Sequence, residues 1–364
     1  RSKDLSPALP FRVAVVCGLP LRGRGHPDAG VRSFHTLLPA LDLRRTVTPT
    51  PPPGEPGSPA GGGPGAVPLE SPVPDRWSEG AVDVEGVRIH YTRTGGEKPP
   101  LVVAHGVYDD GPCRTPLLRE LEADYDAVAF DARGHGRSDA PESGYGVDDR
   151  VADLVGVVEG LDLADPVLFG HSMGGDTVLA TASAHPDLPR AVVAVDPACL
   201  LGGADANEGG EGDDEDGDVG GDEDADEDED EDDFAEAARE RVLWWHDHSK
   251  VELLCADDEL AGHVADGDVE LASLLADARL RVSPHIVDVF RSGWLDPGDV
   301  FPGIEAPTLV VRADVADEAR ARDRGRVALI PDGRLRHVDG AGHTVFRDRR
   351  ETATHELRTF LDDV

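Results

Sequence analysis

The sequence predicts an α/β protein with a mostly parallel central sheet and helices on both faces. Short, continuously apolar runs such as Leu101–Ala104 and Ala191–Val195 predict strands that are buried on both faces. Segments with helical spacing of apolar residues, such as 147–161, separate these runs. Because parallel strands need a crossover connection, strands that alternate with helices indicate a parallel sheet.

Composition divides the chain of 364 residues into segments of different character. Pro- and Gly-rich sequence does not build a core, and a run of 18 acidic side chains with no basic one is expected to stay solvated. The predicted segments are a disordered leader (1–76), the first part of the α/β core (77–201), an acidic disordered loop (202–233), a helical lid (234–302) and the second part of the core (303–364).

The first part of the core begins with a predicted hairpin. Apolar and polar residues alternate on both sides of Gly86, which predicts two half-exposed antiparallel strands, 82–86 and 87–91. The following apolar runs predict buried strands, and the segments with helical spacing predict helices. In chain order these are strand 101–104, helix 115–123, strand 125–130, helix 147–161, strand 166–170, helix 176–185 and strand 191–195.

The alternation of strands and helices stops at the acidic loop. Helical spacing then predicts helices over 234–243, 261–280 and 286–290. Because this helical block stands between two strands of the core, we expect it to cover the site as a lid. The remaining predicted elements are strand 307–314, a last strand at either 327–330 or 335–338, and helix 344–361.

The acidic composition excludes several classes of partner. A net charge of −38 argues against binding to nucleic acid or to an anionic membrane, because both are polyanions. No apolar run approaches the length of a membrane span, and Val13–Cys17 is too interrupted for a secretory signal, so a cytoplasmic location is expected. The expected partner is a small-molecule substrate, and the sequence makes no prediction about protein partners.

Neither a metal nor a cofactor is predicted. The four cysteines lie far apart and have neither the spacing of a disulfide framework nor that of a zinc site. The glycine-rich stretch 61–65 follows no predicted strand and lacks the Lys-Ser/Thr pair of a phosphate-binding loop.

The strongest functional signal is Gly-His-Ser-Met-Gly at 170–174, followed by Gly175. An apolar strand precedes it and a helix of small residues follows, so Ser172 is expected at a sharp strand–helix corner. The glycines relieve the crowding at such a corner. The adjacent helix N-terminus favours negative charge, which assists attack of the serine oxygen on a carbonyl.

A serine hydroxyl is a weak nucleophile, so it needs a base and an acid that orients the base. His343, which follows the last predicted strand and Gly342, is the predicted base. Three carboxylates that follow strands are candidates for the acid. Asp314 is favoured, Asp317 is second and Asp196 is third.

An oxyanion also needs hydrogen-bond donors. The predicted donors are the backbone N–H groups of Met173, directly after the nucleophile, and of Val107, in the loop after a strand. Candidate residues of the substrate pocket lie in that loop, beside the nucleophile or in the lid: His105, Gly106, Tyr108, His171, Trp244, Trp245 and Trp294.

These motifs resemble the α/β-hydrolase superfamily over residues 82–364, apart from the acidic loop. The resemblance rests on His105-Gly106, Asp-x-Arg-Gly-x-Gly-x-Ser at 131–138, residues 170–175, Asp314 and Gly342-His343. It implies Ser172 as nucleophile and His343 as general base, in the family's Ser, Asp, His order, with 131–138 as a structural loop. The acidic, lysine-poor composition is similar to that of proteins from salt-loving archaea.

The resemblance implies a hydrolase without cofactor. Ser172 would attack a small ester-like or related carbonyl substrate, and water activated by His343 would release the acyl group. The same fold carries C–C hydrolases and lyases, such as those of menaquinone biosynthesis, and relatives that bind a ligand without turnover. The fold does not choose among these activities, so both alternatives stay open.

Overall fold

The computed structural model describes residues 73–201 and 227–364. Most of the predicted leader (1–76) and residues 202–226 of the predicted acidic loop lie outside these ranges. Within them, eight strands form one sheet. They are β1 (Ser78–Val84), β2 (Val87–Arg93), β3 (Pro100–Ala104), β4 (Asp126–Phe130), β5 (Val167–His171), β6 (Ala191–Val195), β7 (Thr308–Arg312) and β8 (Gly333–His337).

The pairing of the strands confirms the predicted fold class. Neighbouring strands follow the order β1-β2-β4-β3-β5-β6-β7-β8. β1 and β2 form the predicted antiparallel hairpin, and β2 also pairs antiparallel with β4. All other neighbours are parallel. The carboxyl ends of β3 to β8 therefore lie along one edge of the sheet, where ligands bind in sheets of this kind.

The α-helices of the described ranges connect and flank these strands. They are α1 (Thr115–Leu121), α2 (Val147–Gly160), α3 (Met173–Ala184), α4 (Glu227–His246), α5 (Lys250–Ala256), α6 (Asp258–Asp266), α7 (Val269–Arg281), α8 (Asp288–Arg291), α9 (Pro297–Val300), α10 (Asp317–Val327), α11 (Val345–Asp348) and α12 (Arg350–Asp362). None of them is both long and apolar enough to cross a membrane.

The buried strands divide their side chains between two apolar clusters, because successive residues of a strand point to opposite faces. In β3, Val102 belongs to the cluster that contains Leu154 of α2 and Leu179 of α3. Its neighbour Leu101 belongs to the cluster that contains Leu118 of α1 and Leu357 of α12. Helices thus cover both faces of the sheet, which is why the strands read as continuous apolar runs.

The helical segment between β6 and β7 starts earlier than its predicted boundary at 234, since α4 begins at Glu227. We call residues 227–303 the helical insertion. The helix predicted over 261–280 is two helices, α6 and α7. Gly267 ends α6 in the left-handed conformation, with φ of 88°, and Asp268 caps α7 by accepting a hydrogen bond from the Leu271 N–H.

The last elements settle one open prediction. Of the two ranges predicted for the last strand, 335–338 matches β8, whereas 327–330 contains the end of α10 and the turn that follows it. The helix predicted over 344–361 is divided into α11 and α12, because Arg349 has non-helical backbone angles between them.

Candidate active site

Ser172 lies at a strained corner between β5 and α3. Its φ of 53° and ψ of −119° are unusual for a residue with a side chain. Glycine is required around this corner. A Cβ atom on Gly170 would lie 2.0 Å from the carbonyl oxygen of Gly174, and one on Gly174 would lie 2.4 Å from the carbonyl oxygen of Ala104. The backbone therefore turns as the sequence predicts.

The register of the sheet brings three strand ends together. His171, the last residue of β5, is paired with Val195 of β6, and Val195 is paired with Val311 of β7. The chain positions that follow, Ser172 and Asp196, therefore lie side by side at the carboxyl edge. Hydrogen bonds continue across this edge: the Ser172 N–H donates to the carbonyl oxygen of Val195 at 3.0 Å, and the Asp196 N–H donates to that of Val311 at 2.7 Å.

His343 is hydrogen-bonded to Asp196. Its Nδ1 lies 2.7 Å from Asp196 Oδ2, and the carboxylate is almost completely buried, with 1% of its side chain exposed. The other carboxylate oxygen, Oδ1, accepts hydrogen bonds from the Ala313 N–H at 3.0 Å and from the Arg312 guanidinium. These contacts fix the carboxylate in one orientation and leave Oδ2 for His343.

Asp314, the favoured candidate for the acid, is hydrogen-bonded to other residues than His343 in this structure. Its carboxylate is half exposed and accepts hydrogen bonds from the Gly340 N–H at 2.7 Å and from Arg320 at 2.6 Å. Asp317, the second choice, is an exposed residue of the first turn of α10. The carboxylate that meets His343 is that of Asp196, the third choice.

Two buried histidines orient the loop that carries Val107. His105 Nε2 accepts a hydrogen bond from the Ala132 N–H at 2.9 Å, so its Nδ1 carries the proton and donates to the carbonyl oxygen of Gly106 at 2.8 Å. Burial lowers the pKa of His105 to about 4 and keeps it neutral. The trans peptide then directs the Val107 N–H away from His105. His135 Nε2 lies 2.6 Å from the Val107 carbonyl oxygen.

Ser172 and His343 face a common cavity of about 1070 Å³. Its walls come from the loop after β3, the turn at Ser172, the loop after β8 and the helical insertion. Of the residues predicted for the site, those that line it are Gly106, Val107, Tyr108, His171, Ser172, Trp244, Trp245 and His343.

The other predicted site residues lie elsewhere. His105 is buried beneath the loop, and Met173 contributes its side chain to the core. Trp294 lies against Phe290, with ring centroids 5.9 Å apart, rather than at the cavity. Met173 is nevertheless the first residue of α3, so its N–H has no partner within the helix.

Sequence reasoning missed a group of buried charges beside the cavity. Asp109 is ion-paired with both Arg114 and Arg347, and Arg347 Nη1 also lies 3.4 Å from Glu259 of α6. Although burial alone would raise the pKa of Asp109, the charges of Arg347 and Arg114 hold it well below its usual range. Arg114 and Arg347 stand in helical segments that gave no distinctive pattern.

The segment 131–138 has the structural role that the resemblance implies. The buried carboxylate of Asp131 accepts hydrogen bonds from the backbone N–H groups of Gly111 and Arg137 at 2.8 Å each. Arg133 donates to both carboxylate oxygens of Asp153 on α2, at 2.6 and 2.8 Å. Within the described ranges, no group of three or more His, Cys, Asp or Glu side chains is arranged to hold a metal ion.

The fold and the strained serine turn are those of α/β proteins in which ligands bind at the carboxyl ends of the strands. A family model described as "alpha/beta hydrolase fold" matches residues 99–349, and the chain belongs to this family. The matched relatives support a hydrolase of this fold.

Several curated proteins are similar to the chain. N-formylmaleamate deformylase of Pseudomonas putida is 26% identical over 289 residues, which cover 78% of this chain and 96% of that enzyme. 2-(Acetamidomethylene)succinate hydrolase of Mesorhizobium japonicum is 34% identical over 122 residues, which cover 34% of this chain and 44% of that enzyme. The chain thus spans less than half of the length of the second relative.

Solved structures show the same fold. The crystal structure of E-2-(acetamidomethylene)succinate hydrolase aligns with a TM-score of 0.58 and 22% identity, over 79% of this chain and 99% of that chain. An esterase from Exiguobacterium antarcticum aligns with a TM-score of 0.56 and 21% identity, over 78% and 98%.

Proposed function

We propose that the protein is a cofactor-independent serine hydrolase that acts on a small ester-like or related carbonyl substrate through an acyl-enzyme. One observation carries the proposal. Ser172 and Asp196 directly follow two adjacent parallel strands, and Asp196 is hydrogen-bonded to the ring of His343, which faces the same cavity as Ser172. A nucleophile, a base and a buried acid therefore meet at one edge of the sheet.

The hydrogen bond to Asp196 determines which nitrogen of His343 acts as the base. Because the ionised carboxylate only accepts hydrogen bonds, His343 Nδ1 carries the proton and Nε2 keeps its lone pair. Nε2 would take the proton of Ser172 as the serine oxygen bonds to the carbonyl carbon. It would then give that proton to the leaving group, and a water molecule would release the acyl group by the same path. The buried carboxylate stabilises the imidazolium formed in between.

The N–H groups of Val107 and Met173 are the proposed donors to the oxyanion. The Val107 peptide is fixed through its two flanking carbonyl groups, which His105 and His135 contact. Gly106 also approaches the serine closely, since a Cβ atom there would lie 2.9 Å from His171 Nδ1 and 3.5 Å from Ser172 Cβ. Fixed donors stabilise a developing oxyanion without reorganising during the reaction.

Aromatic side chains at the cavity wall are the reason for proposing a small, partly apolar substrate. We also propose that the helical insertion acts as a lid over the cavity. Tyr108 and Trp245 pack edge to face with ring centroids 5.0 Å apart, and Trp244 is 39% exposed at the cavity wall. Two of the relatives are named for a formyl and an acetamido group, so small amides belong beside esters among the candidate substrates.

The test is a panel of acyl esters of increasing chain length, together with small amides, assayed with the wild type and the Ser172→Ala variant in molar KCl. We expect turnover by the wild type with a burst of the first product, because the acyl-enzyme accumulates when its hydrolysis is slow. The Ser172→Ala variant should show no burst. Equal turnover by both proteins, or ligand binding without any turnover, would contradict the proposal.

A further inference from the structure

His171, which immediately precedes the serine, has both ring nitrogens engaged. Its Nδ1 lies 3.1 Å from Arg114 Nη2, and its Nε2 lies 3.0 Å from the backbone carbonyl oxygen of His343. A guanidinium group donates hydrogen bonds and accepts none, so Arg114 must donate to Nδ1. The ring proton of His171 is therefore on Nε2, from which it donates to His343.

The surroundings keep His171 in this one neutral form. His171 and Arg114 are both buried, with 6% and 7% of their surfaces exposed. A second ring proton would point at the guanidinium of Arg114. Burial, and next the charge of Arg114, lower the pKa of His171 well below its usual value. Because Arg114 occupies Nδ1, the single proton of the neutral ring stays on Nε2 and is donated to the carbonyl group of His343.

Arg114 is itself held in place from the other side. Its guanidinium is ion-paired with Asp109, whose second oxygen accepts a hydrogen bond from Arg347 at 2.6 Å. Asp109 lies in the loop that carries Val107, and its N–H donates to the Gly106 carbonyl oxygen at 3.0 Å. The contact to His171 is therefore built into a buried network rather than made by a free surface side chain.

We propose that His171 is a positioning residue for His343, oriented by Arg114, and that it fixes the backbone of His343 while Asp196 fixes the ring. The inference rests on the proposed function, since it assigns His343 the role of base. The two contacts act at different points of one residue: Nδ1 is held by Asp196 at 2.7 Å, and the carbonyl oxygen by His171 at 3.0 Å. Gly340, with φ of 71°, and Gly342 give the preceding loop little intrinsic stiffness.

The test compares His171→Leu, which removes the donor, with His171→Gln, whose side-chain amide can still donate to the carbonyl group. Labelling by a fluorophosphonate probe is resolved into an apparent binding constant and a first-order reaction step. In the His171→Leu variant the first-order step should fall roughly 10- to 100-fold, because a displacement of about 1 Å costs that much, and this step should carry more of the loss than the apparent binding constant. His171→Gln should restore most of the rate. His185→Leu, at the far end of α3, controls for the loss of an imidazole.

Two results would overturn the inference: a wild-type rate in the His171→Leu variant, or equal losses in the Leu and Gln variants. If a variant does not fold, nitrogen NMR of wild-type histidines gives a separate readout. The proton of His171 should be on Nε2 with Nδ1 unprotonated, and a proton on Nδ1 would contradict the inference. Failure of the wild type itself to react at Ser172 would instead refute the proposed function.

Discussion

The substitution Asp196→Asn tests whether Asp196, rather than Asp314 or Asp317, is the acid that orients His343. The substitution keeps the size of the side chain but removes the charge that contacts His343 Nδ1 at 2.7 Å. An ion pair of this kind has charge centres roughly 4 Å apart, which at an effective dielectric constant of about 20 corresponds to about 4 kcal/mol. Since each 1.36 kcal/mol is a factor of ten, we expect a loss of about 10³-fold in the reaction rate of Ser172.

Asp196→Asn also disturbs a buried ion pair, so its control must do the same without touching His343. Arg312, which is 1% exposed, is bound by Asp196 and by Asp323, whose Oδ2 lies 2.9 Å from Arg312 Nε. Asp323→Asn should therefore lower the free energy of unfolding by a similar amount, below the about 3–5 kcal/mol of a fully broken pair because one carboxylate remains. It should leave the rate at Ser172 within a few-fold of wild type.

The assay is the second-order rate of fluorophosphonate labelling, measured in molar KCl beside denaturant unfolding of each variant. Asp314→Asn, at an exposed carboxylate, should change neither quantity strongly. A labelling rate for Asp196→Asn equal to that for Asp323→Asn would refute the reasoning. A selective loss of rate in Asp314→Asn would support Asp314, the acid favoured from the sequence, instead of Asp196.

Four further substitutions test the backbone packing, a buried carboxylate and the cavity. Gly174→Ala places a Cβ atom 2.4 Å from the Ala104 carbonyl oxygen and should destabilise the protein by about 3 kcal/mol or more in denaturant unfolding, whereas Gly325→Ala, in open space on α10, should stabilise it by about 0.5–1 kcal/mol. Burial raises the pKa of Asp176 to about 6, so over this range the native state keeps a proton that the unfolded state has lost. The free energy of unfolding therefore decreases as the pH rises from about 4 to about 6. Asp176→Asn should remove this cost and gain about 2–3 kcal/mol at pH 8 but little at pH 4, and equal gains at both pH values would contradict the assignment. Trp244→Ala should raise KM for aryl esters several-fold with kcat retained, whereas a selective fall in kcat would place Trp244 in the chemistry instead.

The parts of the molecule that follow from local chemistry were predictable from the sequence. Ser172 requires glycines at fixed positions around a strand–helix corner, so the motif specifies the backbone directly. The continuous apolar runs follow from burial of the sheet on both faces. These features depend on neighbours in the chain, and they agree with the structure.

The choice of acid depends on contacts between distant residues, and there the sequence was ambiguous. Asp196 directly follows the last residue of β6, whereas Ala313 separates Asp314 from the end of β7 at Arg312. One position changes which way a side chain points, so Asp314 turns to Arg320 instead of His343. Arg312, a charge at the end of an apolar strand, was an available signal that a buried carboxylate lies beside it.

Labelling of Ser172 itself tests the central claim most directly. Intact protein is treated with a fluorophosphonate in molar KCl, and the modified peptide is located by mass spectrometry in the wild type, Ser172→Ala and His343→Ala. We expect one adduct on Ser172 in the wild type, none in the folded Ser172→Ala variant and a much slower reaction in His343→Ala. A folded wild type that gains no adduct, or that reacts equally well without His343, would contradict the account.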